Sequence, residues 1–242
     1  VSSQYFSGLL FALPMLSGGS VLRHTSPLES RPYVDLTLSV LRQFGVSAEE
    51  TENGWRVPGN QRFASPGPVE AEGDWSAAAF WLGANVLGSK VTVEGLNPVS
   101  CQGDKAIEGL LPKIGGEIDV TDTPDLMPVL SAVAAAAPGL ETRVLGAARL
   151  RLKESDRIAA MAKMIRALGG SAEETPDGLI IHGKKLCGGT VDGQNDHRIV
   201  MSAAIAATAC QGPVTILGAE AVNKSYPDFW RDFQALGGSI HG

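Results

Sequence analysis

Aromatic residues are scarce in this chain of 242 residues: seven Phe, four Trp and three Tyr, 6% in all, against 29 Gly. A core with few large rings must be filled by small aliphatic side chains, which suits closely packed helices and sheets. Positive charge is also in deficit, with 20 Lys and Arg against 26 Asp and Glu, a net charge of −6. That balance excludes a nucleic-acid partner, because no face is basic enough to hold a phosphate backbone. Any anion site must therefore be local, built from a few focused cations. Cysteine is rare as well: Cys101, Cys187 and Cys210 are odd in number and far apart. They offer neither metal-ligand spacing nor a disulfide framework, which predicts buried, inert thiols, no metal and a reducing cytoplasmic setting. His24, His182 and His241 have no sequence neighbours that imply chemistry.

Uninterrupted apolar spans are missing too. Residues 1–22 and 199–219 carry no charge, but Pro14 with Ser17-Gly18-Gly19-Ser20 breaks the first and Gln211-Gly212-Pro213 the second. Each reads as a buried helix, a turn and a strand, so no membrane partner is expected. The first also lacks the basic start of a signal peptide. A chain that opens at Val1, directly before a helix start, is expected to be the middle of a longer protein.

What is present is repetition. An apolar helix, a short β-branched strand, a polar loop, an amphipathic helix closed by Gly and a final pair of strands recur along the chain. The first copy runs from Ser2 through Leu9–Pro14 to a second helix over Tyr33–Phe44, closed by Gly45. The second starts at Asp74, has a strand at Val91-Thr92-Val93 and closes its amphipathic helix at Gly115-Gly116. The third starts near Leu126, has a strand at Thr142–Leu145 and closes at Gly169-Gly170; the last starts at Asp196, has a strand at Val214–Leu217 and closes at Gly237-Gly238. Gly just past a helix is favoured because it alone takes the left-handed conformation without a Cβ penalty. The Ile158–Leu168 segment keeps its apolar residues on one stripe, whereas Val129–Ala135 is apolar almost all round, which predicts burial on several sides. These patterns give an α/β (α+β) fold of repeated βαβαββ units, with helices inside and sheets outside. The Pro- and Gly-rich stretch 58–73 places a domain boundary near residue 72: residues 1–72 hold one repeat and 73–242 three.

Four helix starts share an unusual composition: Ser2-Ser3-Gln4, Lys153-Glu154-Ser155-Asp156-Arg157, Asn195-Asp196-His197-Arg198 and Lys224-Ser225-Tyr226-Pro227-Asp228. Lys or Arg at a helix N-terminus opposes the macrodipole and needs a compensating anion. Several such starts in one chain point to a shared pocket for a polyanionic substrate.

With Ser30-Arg31-Pro32-Tyr33 and Thr123-Pro124-Asp125, and with Val1 before and Phe229 after the runs just quoted, these motifs resemble, in order and over the whole chain, the enolpyruvyl transferase family and within it the branch acting on shikimate 3-phosphate. The resemblance implies the family's inside-out barrel of two three-repeat domains. It assigns 1–72 to the last repeat of a shikimate-phosphate-binding domain whose remainder is missing, and 73–242 to a complete second domain. It implies transfer of the enolpyruvyl group of phosphoenolpyruvate to a hydroxyl of shikimate 3-phosphate with release of phosphate, a step of aromatic amino-acid biosynthesis. No cofactor is implied. The missing N-terminal half becomes the expected macromolecular partner, this chain alone is expected to be inactive, and the whole enzyme to be monomeric.

Residue by residue, the resemblance implies Ser2, Ser3, Gln4, Ser30, Tyr33, Asp125, Arg149 and Lys153 for shikimate 3-phosphate. Arg149 stands where many members have Asn. Gln4, Arg157, His197, Arg198 and Lys224 are implied for phosphoenolpyruvate. Asp125 would take the hydroxyl proton, Lys153 would sit against the hydroxyl or phosphate, and Glu154 would protonate the methylene carbon, a step helped by excluding water. Asp156 and Asp196 would orient neighbouring cations. Taken without the resemblance, Ser2 and Ser3 are ordinary N-caps, Asp125 is a cap after Pro124, and Glu154 with Arg157 is an exposed i, i+3 pair. Two other functions compete. One is the sister transferase that uses a UDP-sugar acceptor (UDP-N-acetylglucosamine); the other is an inert binding or assembly fragment. Phosphate release with each acceptor, and ligand titration, discriminate among the three.

Overall fold

The computed structural model describes residues 3–241. In order, its elements are α1 (Ser3–Ala12), β1 (Ser20–Arg23), α2 (Arg31–Gln43), β2 (Glu49–Thr51), β3 (Gly54–Val57), α3 (Trp75–Val86), α4 (Ile107–Leu110), β4 (Glu117–Asp119), α5 (Met127–Ala135), β5 (Glu141–Leu145), α6 (Arg157–Ala167), β6 (Ser171–Thr175), β7 (Gly178–His182), β8 (Gly189–Asp192), α7 (His197–Ala207), β9 (Val214–Leu217) and α8 (Phe229–Ala235), with short 3-10 turns between. The chain divides into two compact units, Val1–Gly73 with Gly95–Gly103, and Asp74–Glu94 with Asp104–Gly242.

In the first unit an antiparallel sheet of order β1-β3-β2 packs on α1 and α2. Phe6, Leu10, Val34, Leu41, Val46, Trp55 and Val57 form the core. The helix at residues 3–12 is not buried all round, contrary to the expectation for 1–22. Only Ser3, Phe6 and Leu10 are buried, while Tyr5, Leu9 and Phe11 are exposed. An apolar composition fixes how much of a helix could be covered, not how much of it this unit covers. In the same unit Glu72 accepts hydrogen bonds from Asn97, Ser100 and Gln102, which ties residues 95–103 to the first segment. Those donors hold the Glu72 carboxyl below its ordinary range, Ser100 contributing most.

The second unit puts helices inside. α3, α5 and α7 pack on one another, and every residue of α5 is buried, which goes beyond the burial on several sides that its sequence predicts. A four-stranded sheet of order β4-β5-β7-β6 and a two-stranded sheet β8-β9 lie against them. The β4/β5 and β8/β9 pairs are parallel, each bridged by a buried helix, so each forms a β-α-β unit. At the start of β7 the backbone of Gly178 lies so close to the Val144 carbonyl that a Cβ has no room.

Two repeat expectations fail. Residues 91–93 form no strand; instead the Asn85 side chain binds both the N–H and the C=O of Val91, at 2.7 and 2.8 Å. The amphipathic helix before Gly115 is reduced to α4 between 3-10 turns, because Pro112 cannot donate an N–H to a continuing helix. The thiols differ too: Cys101 and Cys187 are exposed and Cys210 half-buried, because 101 and 187 fall in loops rather than on packed faces. Among the described residues no helix is long and apolar enough to cross a membrane, and no group of three or more His, Cys, Asp or Glu could hold a metal ion.

Candidate active site

Arg157 is the hub of the second unit's polar chemistry. It opens α6, is 1% exposed, and donates to three carboxylates from three parts of the chain. Nε donates to Asp196 Oδ2 at 2.8 Å, Nη1 to Asp125 Oδ1 at 2.8 Å and Nη2 to Glu154 Oε2 at 2.6 Å. Burial works against the charged guanidinium, but Asp196, then Asp125 and Glu154, outweigh it and raise the Arg157 pKa. The i, i+3 pair that the spacing of Glu154 and Arg157 allows is thus formed, as one edge of a larger network.

Asp196 is wholly buried before α7. Besides Arg157 it accepts from Ser155 Oγ at 3.0 Å and caps α7 through the Arg198 N–H at 2.9 Å. Burial pushes this carboxyl up, yet Arg157 and the two other donors bring it below the ordinary aspartate range. Asp156 does the same service for α6, accepting from the Ala159 N–H at 3.0 Å. The cations at both helix starts therefore meet the chain's own carboxylates, which neutralise their opposition to the dipole.

Asp125 lies in a 3-10 turn after Thr123, which is the residue preceding that turn, so Asp125 is not an N-cap. Arg198 reaches its backbone carbonyl at 3.1 Å and its Oδ2 at 3.4 Å, and Lys153 Nζ stands 3.7 Å from Oδ1. Burial favours the neutral acid, but Arg198, Lys153 and Arg157 together hold Asp125 below its usual range. His197 is buried beside this network, and among the described residues its Nδ1 has no hydrogen-bond partner. Burial, then the neighbouring Arg198, lowers its pKa and favours the neutral ring. Lys224 Nζ donates to the Asn195 carbonyl just ahead of α7. Its position is fixed by the residues that follow it. Phe229 is buried and stacks on Trp81 with centroids 5.4 Å apart, and Tyr226 meets Trp81 edge-on while donating to Asp232 at 2.8 Å.

Asp125, Lys153, Glu154, Arg157 and Arg198 thus converge, with His197 at the same helix start, and Arg149 lies on the 3-10 turn that leads to Lys153. The remaining candidates belong to the first unit. Ser3 is buried at the start of α1 and Gln4 exposed; Ser2 lies outside the described residues. Ser30 is buried before α2 in the left-handed region, φ 55° and ψ 41°, with no side-chain cap bond. Tyr33 is half-buried and its N–H donates to the Ser30 carbonyl at 3.2 Å. Arg31 is held by Asp35 at 2.8 Å, by Glu50 at 2.9 Å and over the Trp55 ring. Sequence reasoning missed Arg151 and Ser155: Arg151 pairs with Asp156 five residues on but also reaches Glu174, Thr175 and Pro176, and Ser155 binds Asp196, 41 residues away. No local spacing rule reports contacts of that range.

A family model described as EPSP synthase (3-phosphoshikimate 1-carboxyvinyltransferase) matches residues 1–126 and 112–233. The chain is 45% identical over 260 residues to a 3-phosphoshikimate 1-carboxyvinyltransferase of Clostridium acetobutylicum, covering all of this chain and 60% of that protein. It is 42% identical over 270 residues to the same enzyme of Halobacterium salinarum, covering 100% of this chain and 62% of the relative. A solved EPSP synthase from Acinetobacter baumannii superposes with a TM-score of 0.83 at 27% identity, over 100% of this chain and 62% of that one. The enolpyruvyl transferase NikO from Streptomyces tendae shares the fold, with a TM-score of 0.66 at 20% identity over 98% of this chain and 60% of its own. The chain therefore spans about 60% of the length of the curated relatives it matches. With the family model covering nearly all of its residues, the chain belongs to the EPSP synthase (3-phosphoshikimate 1-carboxyvinyltransferase) family.

Proposed function

We propose that this chain forms part of an enzyme that transfers the enolpyruvyl group of phosphoenolpyruvate to shikimate 3-phosphate. The observation that carries the reading is the meeting of Arg157, Arg198 and Lys153 on the single carboxylate of Asp125. Each substrate bears a phosphate and a carboxylate, and two such charges about 4 Å apart repel by about 4 kcal/mol at an intermediate effective dielectric. Cations from separate elements supply the compensation. Arg157 and Arg198 offer planar paired donors and Lys224 a movable point charge, which suits the carboxylate and phosphate of phosphoenolpyruvate.

In the proposed reaction Glu154 gives a proton to the methylene carbon of phosphoenolpyruvate, leaving cationic character at the adjacent carbon. The hydroxyl of shikimate 3-phosphate attacks that carbon as Asp125 takes its proton. Return of a proton from the new methyl group to Glu154 and departure of phosphate restore the double bond. Asp125 is ionised in the free site and thus ready to accept a proton, though the surrounding cations make it a weak base. Anionic substrates that engage Arg198, Lys153 and Arg157 would relieve that effect. Ser2, Ser3, Gln4, Ser30, Tyr33, Arg149 and Lys153 would be the contacts to shikimate 3-phosphate. Residues 1–72 would be the last repeat of one domain and 73–242 the three-repeat other domain, acting together with the N-terminal portion that the relatives possess. A monomeric cytoplasmic enzyme without cofactor is the matching setting.

Phosphate release tests the reading. With the N-terminal portion supplied, shikimate 3-phosphate plus phosphoenolpyruvate should release phosphate and UDP-N-acetylglucosamine plus phosphoenolpyruvate should not. Release with the UDP-sugar alone would assign the sister activity, and release with neither an inert fragment.

A further inference from the structure

Lys153 and Glu154 sit at the tip of a short turn that has almost no apolar anchorage. Leu152, the residue before them, is 88% exposed. The turn is closed at its base by an ion pair between Arg151 Nη1 and Asp156 Oδ2 at 2.9 Å, with four residues between the partners. Arg151 also reaches across to the β6–β7 turn. Nη2 donates to the Thr175 carbonyl at 2.8 Å, Nε to the Pro176 carbonyl at 3.4 Å, and Nη1 to Glu174 at 3.4 Å. That β6–β7 turn is fixed in its own right by Asp177, whose carbonyl accepts from the Ala147 N–H at 2.7 Å and whose carboxylate accepts from Thr175 Oγ1 at 3.2 Å. The hairpin therefore holds the segment that carries Arg149, Lys153 and Glu154 at Ala147 before it and at Arg151 within it.

We propose that Arg151 is a positioning residue: by bridging Asp156 to the β6–β7 turn it sets where Lys153 and Glu154 stand relative to Asp125 and Arg157. Asp156 divides its two oxygens between Arg151 and the first turn of α6, so the bridge fixes the turn and the helix start together. The planar guanidinium is what makes this possible. It addresses a carboxylate and two backbone carbonyls at once, which a lysine ammonium on a flexible stem cannot reproduce. The catalytic consequence rests on the enolpyruvyl-transfer reading; the ordering of the turn does not.

The test uses Arg151→Met, Arg151→Lys and Arg151→Ala in two assays. In the first, on this chain, a glutamate-specific protease is followed by mass spectrometry. Cleavage after Glu154 should become about tenfold faster in Arg151→Met and Arg151→Lys, because it tracks the population of the opened turn. Cleavage at the exposed Glu94 and Glu108 should keep its wild-type rate, which marks an intact fold. In the second, with the N-terminal portion supplied, kcat should fall about 100-fold in Arg151→Met and stay low in Arg151→Lys, the scale of a small misplacement of catalytic groups. Added guanidinium should restore part of the rate to Arg151→Ala and none to Arg151→Lys, a rescue that general destabilisation does not produce. Wild-type cleavage after Glu154 in both folded variants overturns the proposal, as does wild-type kcat in Arg151→Lys. Accelerated cleavage in a protein whose wild type shows no turnover upholds the ordering role and removes the enolpyruvyl-transfer reading instead.

Discussion

Arg157 and Asp196 form an ion pair sealed from water, Nε to Oδ2 at 2.8 Å, with side chains 1% and 0% exposed. Desolvating two charges costs several kcal/mol, and the pair persists because each ion is also bound by other groups. Removing one partner leaves the other buried with part of its compensation lost. Asp196→Ala should therefore lower the unfolding free energy by about 3 kcal/mol. Asp156→Ala, which removes a half-exposed cap, should cost about 1 kcal/mol. Chemical denaturation of both variants checks the ordering; equal losses would contradict the assigned role of the buried pair.

The same carboxylates set the acid limit of stability. The folded-state pKa values of Asp125 and Asp196 lie below their ordinary values, so the unfolded chain binds more protons in that range and stability rises with pH. The contribution is complete above the unfolded aspartate value of about 3.9 and is lost as pH falls below it toward the folded values. The deficit of Asp196→Asn relative to wild type should be constant at neutral pH and shrink below about pH 4. His197 adds a second, milder window. Its folded pKa is lowered by burial, so its contribution is full above the unfolded value of about 6.5 and declines as pH falls through the folded one. Denaturation across the acid range in His197→Asn should show that decline removed.

Lys224 and Phe229 share a motif but should fail in different ways. Phe229 is buried in a cluster with Trp81, Trp230 and Phe233, and Phe229→Ala should cost about 3–5 kcal/mol of stability. Lys224 is exposed and donates to a backbone carbonyl, so Lys224→Ala should keep its Tm. Its effect belongs on phosphoenolpyruvate, whose KM should rise about tenfold for the loss of one charged hydrogen bond. Thermal melts and steady-state kinetics separate the two variants.

Periodicity and capping residues made much of the fold legible. The almost wholly apolar run at Val129–Ala135 predicted a helix buried on several sides, and Asp156 and Asp196 mark the starts of α6 and α7 because short polar side chains accept helix N–H groups. The exposed half of α1 was not legible, because apolar content does not reveal which neighbours are at hand. Nor was the loop at Val91, where one Asn side chain takes both of the backbone bonds that a strand partner would have made. The candidate site was legible as a set of residue types and illegible as a network. Asp125 and Arg198 are 73 positions apart, and only the packing of α5, α6 and α7 brings their chain segments together. Arg151 escaped notice because its pairing with Asp156, five residues on, follows no helix spacing and its other partners lie on the β6–β7 turn.

The account stands most directly on the affinity for phosphoenolpyruvate, measured by calorimetry with shikimate 3-phosphate and the N-terminal portion present. Arg198→Met should weaken that affinity about 100-fold, near the upper worth of hydrogen bonds to a charged group. Affinity for shikimate 3-phosphate should remain close to wild type, since no contact to it is assigned to Arg198. Binding of phosphoenolpyruvate by Arg198→Met at wild-type strength would contradict the claim that these converging cations form the anion site.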